Sequence, residues 1–264
     1  MIVGTLKKLK TEHQNIVDYK LPIGDELIPL NSLIGKEISL TYTGKIYCVD
    51  TGKLIKKSFG QGYSWESFTT LPECDRCIFQ PELCHYAKGT CRDNAWGEKH
   101  CLKTHVIYIS LTSGLKVGIT RKTQVPTRWM DQGAVKAIVL CEVKDRLSSG
   151  LIEIEIAKEL GDKTNWRNML KNNFEKQDLT QTKKRIIEKF SPLLEKYQAE
   201  IMDDQIYEFN YPVEAYPDKV SAFNLYKNPL VKGKLMGIKG QYLIFDNGVI
   251  NIRKYQGHEV QLEY

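Results

Sequence analysis

HVIYISLTSGLKVGITRKTQVPTR, residues 105–128, is the stretch on which the fold turns. His105 to Ser110 is β-branched and aromatic, the composition of a strand, Thr112-Ser113-Gly114 supplies a turn, and Leu115 to Thr120 returns as a second strand. Pro126 stands where a helix would start, because its fixed φ suits the first helical turn, and Arg128 falls on that helix. A third strand is expected from Val135 to Val143, and after Ser148-Ser149-Gly150 a helix runs through Leu151 to Lys158. Strand, strand, helix, strand, helix is the order of a small mixed core, here 105–175.

Immediately upstream lies CDRCIFQPELCHYAKGTCRDNAWGEKHC, residues 74–101, which holds five of the seven cysteines. Cys74 and Cys77 form a C-x2-C knuckle, followed by Cys84, Cys91 and Cys101, with His85 and His100 each beside a cysteine. A knuckle of this kind lets two thiolates converge on one ion, and tetrahedral Zn2+ takes two further ligands from later in the chain. Cys84, Cys91 and Cys101 compete for those two places with the histidines in reserve, and spacing alone does not choose among them. A thioredoxin-like redox pair would need a βαβ setting, which is absent. The segment 71–104 therefore reads as a metal site, zinc ahead of an iron–sulfur cluster. Its thiolate-rich composition marks it as structural, because a catalytic zinc keeps an open position.

Working outward toward the N-terminus, residues 1–70 read as a β-rich module. Glu37 to Tyr42 alternates polar and apolar as a half-buried strand does, and Thr43-Gly44 is expected to end it. Cys48, Thr51, Ser64 and Ser67 fall at the ligand positions of a zinc ribbon, yet only Cys48 keeps a thiol. Hydroxyls are poor zinc ligands beside thiolates, so the segment reads as a ribbon that has lost its metal, with a plain β-hairpin around a buried Cys48 as the alternative. Toward the C-terminus, Thr164 is the expected N-cap of a helix, and Thr180 to Met202 form another with apolar residues at helical spacing. Lysines and arginines from Lys171 to Lys189 make this the densest basic stretch in the chain. Asp246-Asn247-Gly248 between two apolar runs marks a hairpin, so 176–264 reads as a helix followed by a small β module.

The order of the central elements resembles the GIY-YIG nuclease core. On that resemblance Tyr108 matches the first tyrosine, Gly118 the glycine of the second strand, Arg128 the helix arginine and Glu153 the metal-binding glutamate. Lys116 stands where the second tyrosine belongs, as it does in some divergent branches. The resemblance implies Tyr108 as the base for water, Arg128 as the cation over the developing charge, Glu153 as the anchor of Mg2+, and Lys116 as added positive charge toward phosphate. The C-x2-C, the GTCR, the WGE-x-HC and the GLKVGIT strings together resemble a bacterial family known only as a domain of unknown function. That likeness supports the zinc and the order of segments without adding an activity.

Composition bounds these readings. At 264 residues, with 27% charged and 42% hydrophobic residues, the chain has the profile of a folded globular protein of several small α+β units. No apolar run approaches the roughly 18 residues of a membrane span, and MIVGTLKKLK lacks the apolar core of a leader, so a cytoplasmic location is expected. The net charge of +6 is compatible with a nucleic-acid partner, DNA or RNA. The function expected is a zinc-binding, nucleic-acid-associated protein with a metal-dependent endonuclease core. The alternatives are a non-enzymatic zinc module on DNA, RNA or a ribonucleoprotein, and a protein-interaction adaptor.

Overall fold

A computed structural model describes the whole chain, Met1–Tyr264, as a mixed α+β structure with three sheets. The central hairpin forms as expected: His105–Leu111 pairs antiparallel with Leu115–Arg121, and Tyr108 stands opposite Gly118. Lys136–Val143 pairs along the other side of His105–Leu111, and the short strands Glu200–Ile201 and Ile206–Glu208 extend it. His105–Leu111 is thus an inner strand with every residue buried, which accounts for its nearly unbroken apolar run. Leu115–Arg121 is the edge strand of this sheet.

Helices Arg146–Leu160 and Leu179–Lys196 cover one face of the sheet. Ile152, Ile156, Leu179, Ile186 and Leu194 share a core there with Ile107, Ile109, Val117 and Leu140. Each such side chain contributes about 1.5–3 kcal/mol on burial, so this face, rather than helix propensity, holds the long helices in place. On the opposite face Val106, Tyr108 and Trp129 join a larger core of 29 buried residues that belongs mainly to the β-rich part of the molecule.

That part is one sheet built from both ends of the chain. Its order is Ile2–Thr5, His258–Glu263, Glu37–Tyr47, Leu230–Lys239, Tyr242–Phe245 and Gly248–Asn251, with Leu54–Ile55 paired to Glu37–Tyr47. Strands from the expected first and last modules therefore alternate within a single sheet. A smaller sheet of Lys10–Glu12, Asp18–Ile23 and Glu26–Pro29 packs into the same core through Tyr19, Leu21, Ile23 and Ile28.

Several boundaries differ from the expectation for local reasons. Glu37–Tyr47 continues past Thr43-Gly44, because Gly44 takes φ +88 and the pairing with His258–Glu263 shifts register there, from Tyr42 opposite Val260 to Ile46 opposite His258, without the strand ending. The last long helix stops at Lys196, short of Met202, after which Gln198 at φ +53 turns the chain into the strand Glu200–Ile201. Asn165, not Thr164, caps Trp166–Leu170, its side chain accepting from the Asn168 N–H at 3.2 Å. The Asn247-Gly248 hairpin forms as expected, with Phe245 opposite Gly248. No helix is long and apolar enough to cross a membrane.

Candidate functional site

A cleft of about 430 Å³ runs beside the edge strand Leu115–Arg121, and Tyr108, Lys116, Gly118, Arg128 and Glu153 all line it. They arrive from four elements, Lys116 and Gly118 both from the edge strand. Tyr108 sits on the inner strand, fully buried, with its hydroxyl donating to Gln132 Oε1 at 3.0 Å and its ring edge-on to Trp129. Gly118 faces it across the ladder, where a Cβ would come within 2.6 Å of the tyrosine oxygen. Glycine is therefore required there for space and not for a turn. Arg128 comes from the short helix Thr127–Asp131, and Glu153 from the helix Arg146–Leu160 packed on the edge strand.

The cleft shifts its titratable groups in opposite directions. Burial pushes the Lys116 ammonium down to about 8, reinforced by Arg128 and opposed by Glu153 and Asp162. Burial pushes the Glu153 carboxyl up to about 7, and Arg128 and Lys116 only partly offset it because Asp162 and Glu82 add negative charge. Tyr108 is driven above the usual tyrosine range by burial, with Arg128 opposing. Near neutral pH the groups poised to change protonation are Lys116 and Glu153, not the tyrosine.

Other residues of the cleft were not singled out in the sequence. Gln132 lies one helical turn beyond Arg128, so a signal at i, i+4 was there to be used. Lys8 and Arg253 come from opposite ends of the chain, with Lys8 Nζ 2.6 Å from Asp131 Oδ2 and Arg253 Nε donating to Gln61 Oε1 at 2.8 Å. His105, Arg121 and Arg146 line the part of the cleft toward the cysteine segment.

That segment folds as short helical turns around a second, smaller cavity. Cys77, Cys84, Cys91 and Cys101 all line it, together with Asp75, His85, Arg92 and Trp96. Cys84 and Cys101 share a hydrogen bond that favours thiolate at Cys84 and thiol at Cys101. The donor atoms of Asp75, Cys77 and His85 lie within 4.8 Å of one another, a cluster able to hold a metal ion. His85 and Asp75 also bond elsewhere, His85 Nδ1 to Thr90 Oγ1 at 2.8 Å and Asp75 Oδ2 to Arg92 Nε at 2.9 Å. His100 is turned away: its Nδ1 bonds the Trp96 carbonyl at 2.7 Å and its ring stacks on that indole.

Cys74 does not line this cavity. It closes a 3-10 turn just before Asp75 caps the helix Arg76–Phe79, and its charged neighbours are Glu73, Arg92, Asp50 and Cys48. Cys48 is buried, with Thr51, Ser64 and Ser67 gathered around its sulfur. Ser64 N–H donates to Cys48 Sγ at 3.2 Å, Ser67 Oγ lies 3.5 Å from it, and Thr51 also bonds it. Burial alone would raise this thiol, but those bonds together outweigh it and bring it down to about 6.

The two sites are joined through the helix that carries Glu153. Arg146 at its first turn donates to the carbonyls of Cys77 at 3.2 Å and Ile78 at 2.8 Å, and its own N–H bonds the Cys101 carbonyl at 2.8 Å. Gly150 lets the cysteine segment lie directly on the helix, since a Cβ there would meet Glu82 N at 2.4 Å. No curated protein and no solved structure matches the chain. A family model described as "Protein of unknown function (DUF2797)" matches residues 35–260, a span that takes in the cysteine segment, all of the cleft but Lys8, and most of the large sheet, and the chain belongs to that family.

Proposed function

We propose that this is a zinc-stabilised, nucleic-acid-associated protein whose cleft is a divergent GIY-YIG-like centre for metal-dependent phosphodiester hydrolysis. The observation that carries the reading is the convergence of Tyr108, Lys116, Arg128 and Glu153, from four separate elements, on one cleft. In this reading Lys116 is the base. Burial brings its amine down to about 8, within reach of losing its proton, whereas Tyr108 stays protonated and serves as a donor held by Gln132. In this reading Arg128 is the cation over the charge that develops on the phosphoryl oxygens. Glu153, with Asp162 beside it, supplies carboxylate oxygens for a divalent cation, which when bound draws charge from the phosphate.

The donor set of the smaller cavity fits zinc. Cys77, Cys84, Cys91 and Cys101 line one small cavity with Asp75, Arg92 and His85, and a thiolate-rich donor set of this kind would hold zinc as a closed, structural site. Its role here is to fix the segment that packs on the Glu153 helix. The test is cleavage of labelled DNA and RNA with added Mg2+ by the wild type and by Glu153→Gln. Cleavage abolished in the variant with binding retained supports the enzyme. Absence of cleavage by the wild type with any divalent ion, on any substrate, leaves a non-catalytic binder.

A further inference from the structure

The cleft continues past the Tyr108–Glu153 centre toward the cysteine segment, where His105, Arg121 and Arg146 line it. His105 is fully buried, and its Nδ1 faces the Lys103 carbonyl at 2.7 Å. A carbonyl only accepts, so Nδ1 carries the proton and Nε2 is left as the open end of the ring. That Nε2 is buried and has no hydrogen-bond partner. Buried polar atoms are almost always paired, so an orphan facing basic groups at a cleft marks a place where something else binds.

The groups around it are basic. The charged neighbours of His105 are Arg146, Arg121 and Asp145, and the Asp145 carboxylate is engaged as a helix cap, accepting from Ser148 N–H at 2.8 Å. Arg121 is half-buried, and its charged neighbours are Arg146 and Cys101, with no carboxylate among them. Arg146 is fixed in place by the two carbonyls it bonds through Nε and Nη2. Two guanidinium groups and an unpartnered imidazole nitrogen thus meet beside the cleft without an acidic side chain to pair with them. Such an arrangement attracts an oxyanion, and planar guanidinium groups suit phosphate in particular.

We propose that His105, Arg121 and Arg146 form a second phosphate subsite, which holds a backbone phosphate of a polynucleotide neighbouring the one at the Tyr108–Glu153 centre. The proposal rests on the reading of the cleft as a polynucleotide site. It adds the direction of the strand's path, along the edge strand toward the cysteine segment. Burial, reinforced by Arg146 and Arg121, pushes the free ring down to about 4, so it is neutral until an anion binds; the bound phosphate then offsets that cost, the imidazole taking up a proton from solvent and donating it through Nε2 to a phosphate oxygen. Arg121, the group with no protein partner, then supplies the main charge.

The experiment measures binding of a fluorescent single-stranded oligonucleotide to the full-length protein without added Mg2+, over a range of salt, for the wild type, Arg121→Gln, His105→Gln and Glu153→Gln. Zinc content and melting temperature are measured on each. Arg121→Gln is expected to weaken binding about tenfold, as loss of a charge-assisted contact does, and to reduce the salt slope by about 0.7. Zinc and melting temperature should stay unchanged. Inorganic phosphate, followed by the imidazole signals of His105, should raise the proton affinity of that ring in the wild type and not in Arg121→Gln.

Oligonucleotide affinity within twofold of wild type in both Arg121→Gln and His105→Gln overturns the subsite, even if the wild type cleaves. Loss of zinc from Arg121→Gln also overturns it, since the arginine would then serve the sulfur cluster. A His105 response to inorganic phosphate with no effect of Arg121→Gln on the oligonucleotide makes it a free-phosphate site and overturns the polynucleotide assignment. Conversely, a tenfold loss in Arg121→Gln from a wild type that never cleaves supports the subsite while removing the catalytic reading.

Discussion

Gly118→Ala tests whether the hairpin of the central sheet is built around Tyr108. The added methyl would lie 2.6 Å from the tyrosine oxygen, 2.7 Å from Cζ and 3.1 Å from Cε2. Contacts between such atoms are comfortable only at about 3.5 Å or more, so the ring must retreat by close to 1 Å. It has nowhere to go: Tyr108 is fully buried, edge-on to Trp129 at 5.6 Å and bonded to Gln132. Overpacking of this kind costs about 1–3 kcal/mol, and a broken hydrogen bond adds about 1 kcal/mol. The loss of glycine entropy in the unfolded chain returns about 0.4–1 kcal/mol, leaving a net destabilisation of about 1–3.5 kcal/mol. Urea denaturation measures it, with Gly114→Ala, where nothing lies within 4 Å, as a control expected to stay within about 0.5 kcal/mol of wild type. Most of the cost should vanish when Gly118→Ala is made in a Tyr108→Leu background, which lacks the three clashing atoms. An equal cost in both backgrounds would refute the reasoning, because the glycine would then answer to something other than the tyrosine.

Three further outcomes are expected. Lys116→Met should lower cleavage by about a hundredfold or more and remove the rise in rate through about pH 8, because the wild-type amine must lose its proton to act; pH–rate profiles of the two proteins decide it. Lys239 is fully buried, bonded to Asn172 Oδ1 at 2.8 Å, and burial pushes its ammonium down to about 7. The unfolded chain therefore binds the extra proton between about pH 7 and 10, and stability should rise by roughly 2–3 kcal/mol from pH 7 to 9. Denaturation of wild type and Lys239→Met at both pH values should show that gain lost in the variant. Elemental analysis should find zinc in Cys74→Ser at wild-type content and little in Cys84→Ser; the opposite pattern would place Cys74 among the ligands.

The central unit was legible because its signals are local. β-Branched runs around Thr112-Ser113-Gly114, Pro126 at a helix start, and Glu153 on a helix following the third strand all lie within one short stretch, and pairing brings them to one cleft. What was not legible depends on contacts across the chain. Ile2–Thr5 pairs with His258–Glu263, and nothing in either strand announces the other. Lys8 and Arg253 reach the cleft only because that pairing brings the two ends together, so no spacing rule finds them. Cys74 lies apart from the small cavity for a local reason. A C-x2-C spacing suggests a shared ion, but Asp75 accepts the Cys77 N–H as a helix cap and starts a new turn between the two cysteines. Cys77 then faces Cys84 and Cys91, while Cys74 lies toward Cys48 and Tyr63. Burial depth was not legible either: Tyr108 is fully buried, which sequence alone does not record.

The most direct measurement is cleavage of end-labelled DNA and RNA by the purified protein, with Mg2+ added or omitted, beside Glu153→Gln at equal zinc content and melting temperature. The account predicts Mg2+-dependent products from the wild type, none from the variant, and similar affinity for uncleaved substrate in both. Equal cleavage by the two proteins would contradict it, because the carboxylate at the heart of the cleft would then take no part in the chemistry.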